Sequence, residues 1–100
     1  MYYLYILYSE SFDKYYVGVT DNPDRRLWEH NNLPRNTFTS RYRPWIFVAL
    51  FECARTQGEA RKIESFIKKQ KSRKLIQKIV DQEPLTGILA QLVRVPFVRD

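Results

Sequence analysis

Apolar residues run almost unbroken from Tyr2 to Tyr8, give way from Ser9 to Asp13, and return from Tyr15 to Val19. Two such aromatic and aliphatic runs split by a short interruption predict two strands joined in a hairpin. A loop centred between Glu10 and Ser11 sets Tyr5 opposite Tyr16, so that both share a face with Tyr3 and Gly18. Leu4, Ile6, Val17 and Val19 then point the other way, into a core. Asn22-Pro23 predicts a helix start, with Asn22 as N-cap and Pro23 at the first helical position, where its missing N–H costs nothing. That helix ends near Asn31-Asn32, because Pro34 cannot continue it. Arg26 and His30, four apart, lie on one of its faces.

From Leu33 to Arg43 the chain is polar and reads as a loop carrying Arg35, Arg41 and Arg43. Trp45 to Glu52, rich in aromatic and β-branched residues, predicts a third strand. Thr56-Gln57-Gly58-Glu59 matches a capping box, in which Thr56 and Glu59 satisfy each other's backbone N–H groups. Ala60, Ile63, Phe66 and Ile67 follow at helical spacing and predict packing on the sheet with Lys and Arg left outside. Ser72 caps a further helix through Val80, with Leu75, Ile76 and Ile79 on its apolar side. After Glu83-Pro84 the period dissolves. Residues 1–83 are therefore expected to form one α/β (α+β) domain with a three-stranded antiparallel sheet. Residues 84–100 are expected to be an appendage dispensable for the site, loosely ordered or docked as an extra strand.

Composition narrows the class. One hundred residues, 44% hydrophobic and 28% charged, suit a single folded domain. The longest apolar run, Trp45 to Phe51, is seven residues long, well short of the roughly 20 that span a bilayer. No basic residue precedes the apolar start, so no secretory signal is expected. A single Cys53 and a single His30 provide neither an internal disulfide nor a Cys/His zinc site. A monomer in a reducing cytoplasm is the default expectation.

Charge is concentrated. Between Arg61 and Lys78 stand eight basic residues and one acid, +7, whereas the remainder carries nine bases and ten acids, −1, so this segment accounts for the whole +6. Arg61, Lys62, Lys68, Lys69, Lys71, Arg73 and Lys74, joined by Lys14 from the hairpin, form a candidate surface for a polyanion. Nucleic acid is favoured over a membrane because no large apolar face accompanies the charge. A solvated Lys-rich helix explains the charge alone about as well.

Three features carry candidate chemistry. Tyr5 facing Tyr16 is, by itself, an ordinary cross-strand pair. Arg25 has Glu29 four residues on as an ion-pair partner, which leaves Arg26 to point with His30 at something anionic. Glu64 is the only acid among eight bases and either pairs with a neighbouring cation or holds a metal ion from the edge of the core. Together these parts suit phosphodiester hydrolysis. An Arg stabilises charge building on the phosphate, one carboxylate holds Mg²⁺, and a Tyr or His takes a proton from water. An unperturbed Tyr is too weak a base near neutral pH, so Lys14 and Arg26 are expected to lower its pKa.

The spacing resembles the GIY-YIG endonuclease domain, in the style of the small stand-alone bacterial proteins that are similar to the nuclease domain of the excision-repair endonuclease. Tyr3-Leu4-Tyr5 stands for the first half of the motif, with Tyr3 where the motif has Gly, and Tyr16-Val17-Gly18 stands for the second. The helix residues of the motif fall on Arg26 and His30, and its metal-binding Glu falls on Glu64; no Asn follows Asn36, where many relatives have a late one. The resemblance covers about residues 1 to 80. It implies a Mg²⁺- or Mn²⁺-dependent endonuclease acting on DNA, with RNA as the alternative polymer and repair or recombination as the setting. Tyr5, Tyr16, Arg26, His30 and Glu64 would be its catalytic residues. A nucleic-acid-binding module that kept the fold and lost turnover, or an interaction domain for an acidic protein, are the rival readings.

Overall fold

The hairpin comes first in the computed structural model, which describes residues 1–34 and 36–97; Arg35 and Val98 lie outside the described residues. Strand β1 (Tyr2–Ser9) pairs antiparallel with β2 (Lys14–Thr20). The register differs from the expected one by two residues, with Tyr5 opposite Gly18 and Leu7 opposite Tyr16. The reason is the loop, which takes four residues, Glu10 to Asp13, and ends on Asp13 at φ 53°, a left-handed conformation that Asp tolerates. Asp13 is held there by the Tyr8 hydroxyl and by Arg73. A shift of two preserves the faces, so Leu4, Ile6 and Val17 still enter one core and Tyr5 and Leu7 the other.

Helix α1 (Pro23–Asn32) begins as expected, the Asn22 side chain accepting the Arg25 N–H. The predicted loop then contains a short helix, α2 (Phe38–Arg41), whose Thr37 and Ser40 side chains cap each other's backbone. Arg43 ties off α1 by donating to the carbonyls of His30 and Leu33, which have no partner further along the helix. The Asn31 amide accepts from the Trp45 N–H and donates to the Trp45 carbonyl, joining α1 to the start of β3 (Ile46–Ala54). Helix α3 (Gln57–Lys69) starts at Thr56, which accepts the Glu59 N–H, the Thr56 half of the expected box. Helix α4 (Arg73–Val80) follows from Ser72.

The sheet has four strands rather than three, in the order β2-β1-β3-β4, because residues 84–97 dock. A 3-10 turn (Gly87–Gln91) leads to β4 (Val93–Arg94), which pairs with Phe51 and Glu52. Of the two expectations for this segment the docked strand is the one described. Leu89 and Leu92 enter the core formed by α3, α4 and one sheet face, while Val95 and Phe97 pack on the other face with Leu27 of α1. Cutting the chain after Glu83 is expected to lower its urea midpoint, at about 1.5–3 kcal/mol for each buried leucine side chain lost. An unchanged midpoint would show the segment to be energetically idle. Among the described residues no helix is long and apolar enough to cross a membrane.

Candidate functional site

β2 is an edge strand, and α1 and α3 lie on opposite faces of the sheet beside it. Along that edge runs a groove of about 530 Å³. Its walls bring together Tyr5, Tyr16, Arg26 and Glu64 with Arg61, Lys68, Lys69 and Lys71. Gly18 explains how groups from the two faces meet. It stands opposite Tyr5, and a Cβ added to it would lie 2.5 Å from Tyr5 Cζ and closer still to the hydroxyl. The tyrosine ring thus lies across the glycine and reaches the edge of the sheet. Gly18→Ala is expected to displace the buried ring and destabilise the fold by about 1–3 kcal/mol, the usual range for overpacking. Urea denaturation of the variant checks this, and a wild-type midpoint would contradict the close approach.

Behind the groove lies a buried polar chain. Tyr5 is 1% exposed and His30 4%. The Tyr5 hydroxyl is 2.8 Å from His30 Nε2, and His30 Nδ1 is 2.9 Å from Thr39 Oγ1. Burial pushes the imidazole down to about 4, and Arg26 adds to this, so His30 is neutral near pH 7. Burial also pushes the Tyr5 hydroxyl well above its ordinary value, with Tyr16 adding and Arg26 offsetting only part. The expected lowering by cations is therefore corrected for Tyr5, because desolvation outweighs the nearby guanidinium. Tyr5 stays protonated, and its donation to Nε2 leaves the Nδ1 proton for Thr39, a consistent arrangement of the chain.

Arg26 is half-buried and donates to Glu29 Oε1 at 3.0 Å, whereas Arg25 reaches Asp21 at 3.6 Å. This corrects the expected Arg25–Glu29 pair. Positions three and four residues apart are both neighbours on a helix, and the choice between them went to Arg26. Its side chain also lies beside the Tyr5 hydroxyl and borders the groove.

Of the two alternatives expected of Glu64, the ion pair is the one described. The residue lines the groove, and its Oε2 lies 2.7 Å from Lys68 Nζ, which also sits 5.1 Å from the centre of the Tyr16 ring. Among the described residues no group of three or more His, Cys, Asp and Glu exists, which does not suit zinc. One carboxylate with water completing the shell suits Mg²⁺ or Mn²⁺. Lys68 already pairs with Oε2, so the residues present fit such an ion only where it displaces that ammonium from the carboxylate.

The basic segment divides. Arg61, Lys68, Lys69 and Lys71 line the groove. Arg73 is tied to Asp13 and lies over the Tyr15 ring, and Lys62 and Lys74 are exposed without bordering it. Lys14, at the far end of β2, sits 5.0 Å from the centre of the Tyr42 ring. Tyr3 borders a different groove, with Leu27, Phe47 and Phe97, so its bulk does not fill the one described. Sequence reasoning missed Thr39 and Phe38, whose signal was the Thr37 and Ser40 pair that opens α2.

A family model described as the GIY-YIG catalytic domain matches residues 1–78. No curated protein matches the chain.

Proposed function

Since the chain belongs to the GIY-YIG catalytic-domain family of nucleases, we propose that it hydrolyses phosphodiester bonds in DNA with Mg²⁺ or Mn²⁺ bound at Glu64. The observation that carries this reading is the convergence of Tyr16, Arg26 and Glu64 on one groove rimmed by Arg61, Lys69 and Lys71. Arg26 holds the non-bridging phosphate oxygens and stabilises the charge that grows on them. Tyr16 lines the groove and orients the attacking water, whose oxygen bonds to phosphorus as the bond to the leaving oxygen breaks, the proton the water loses passing through solvent to the leaving oxygen. Tyr5 and His30 act behind it, fixing the ring positions through their buried hydrogen bonds. Glu64 would hold the ion, which when bound would supply neutralisation of the charge developing in the reaction.

Incubating the protein with linear, branched and single-stranded DNA and with RNA, with either ion or with a chelator, tests the proposal. Metal-dependent cleavage lost in Glu64→Gln is expected; cleavage that survives that substitution would remove Glu64 from the site. The Glu64–Lys68 ion pair favours a second reading, a binding module whose carboxylate is permanently neutralised. DNA binding with no cleavage of any polymer would select it.

Lys69 and Lys71 are expected to contact phosphates, which position a polymer without reading its sequence. Lys69→Gln combined with Lys71→Gln should flatten the slope of log affinity against log salt concentration by about 2, since each contact releases roughly one counterion. Anisotropy titrations at several salt concentrations measure this, and an unchanged slope would place the phosphates elsewhere.

A further inference from the structure

Resting on the reading of the chain as a nucleic-acid hydrolase, we infer that Phe38, Tyr42 and Tyr16 form a shelf on which unpaired nucleobases stack beside the reacting phosphate. Phe38 is 44% exposed and Phe12 49%, although burying a phenylalanine side chain is worth about 1.5–3 kcal/mol. The rings form a continuous line. Phe38 stacks on Tyr16 with centres 6.2 Å apart and planes 26° apart. Tyr42 lies 4.9 Å from Phe38, and Phe12 lies 5.3 Å from Tyr42.

Cations lie over two of these rings, Lys14 over Tyr42 and Lys68 over Tyr16. A second groove of about 410 Å³ joins Phe38 and Tyr16 to Lys68, Lys71 and Arg73. Tyr16 belongs to both grooves, so a strand whose phosphate sits at Arg26 passes directly onto the rings. Ring faces interleaved with ammonium groups complement a base with its phosphate, and stacking on an aromatic side chain is worth about 1–3 kcal/mol per base. In a duplex the base faces are already covered, so the shelf acts on unpaired segments.

The test uses the full chain carrying Glu64→Gln, so that binding is read without cleavage. A labelled oligo-dT and a labelled duplex of equal length are titrated by anisotropy. Phe38→Ala is expected to weaken oligo-dT binding about tenfold or more and duplex binding little. Phe38→Leu keeps apolar bulk against Trp45 and Tyr42, so the same selective loss there separates stacking from folding, and Phe38→Trp should restore affinity. Equal losses on both polymers, or none on oligo-dT, would overturn the shelf while leaving the hydrolase reading standing. Failure of the Glu64→Gln chain itself to bind either polymer would overturn both.

Discussion

Replacing Arg26 by alanine is expected to lower the cleavage rate by about a thousandfold, the upper range for losing one donor aimed at charge that develops in the transition state. Binding of Mn²⁺ should survive the change, because Glu64 lies on a different helix. Glu64→Gln should abolish cleavage too, with the opposite signature: metal binding is lost, and DNA binding is kept or strengthened as a negative charge leaves the groove. Lys68 is released in that variant from its 2.7 Å pairing and becomes available to phosphate. Single-turnover cleavage, Mn²⁺ titration and DNA anisotropy on both variants decide the matter. If Arg26→Ala lost Mn²⁺ binding, or Glu64→Gln retained it, the division of roles would be wrong.

Acid is expected to destabilise the protein through one residue. The His30 imidazole ordinarily titrates at 6.5 and is pushed down to about 4 by burial, with Arg26, Arg43 and Lys68 acting in the same direction and Glu29 against it. Between those two values the unfolded chain binds a proton that the native chain does not. Stability from this group is therefore complete above about pH 6.5 and falls as the pH is lowered towards 4, by on the order of 3 kcal/mol. Urea midpoints followed from pH 7 to 4 measure the loss, and His30→Gln, neutral throughout, should flatten the curve relative to wild type. Parallel curves for the two proteins would show that His30 is not the group responsible.

Much of the framework was legible because it is local. Asn22-Pro23 and Ser72 announce helix starts through single side-chain caps, and both helices begin where those residues predict. The alternation of Leu4 and Ile6 with Tyr5 and Leu7 separates two faces without reference to anything distant. What escaped depends on choices between near equals or on groups brought in from afar. The hairpin register turned on a left-handed Asp13, which Arg73, sixty positions away, helps to hold. α2 has four residues, too few to show a period.

At the candidate site, the residue types were readable and their electrostatics were not. Tyr5 was legible as sharing a face with Tyr16, but the sign of its pKa shift depends on how completely α1 covers it. That is a property of the packed molecule. The partner of Glu29 depended on side-chain reach, which spacing alone does not resolve. The late residues Val93 and Arg94 gave no period because a two-residue strand has none to give.

That small strand has a consequence for how the protein behaves in company. β3 is apolar along nearly its whole length, and β1 pairs with only one of its sides. On the other side Val93 and Arg94 pair with Glu52 and Phe51, and the Val95 N–H donates to the Leu50 carbonyl. An apolar strand with bare backbone groups is a template on which a strand of another molecule can add. By closing the Phe51–Glu52 stretch, β4 leaves that side of β3 with less backbone to offer such a strand.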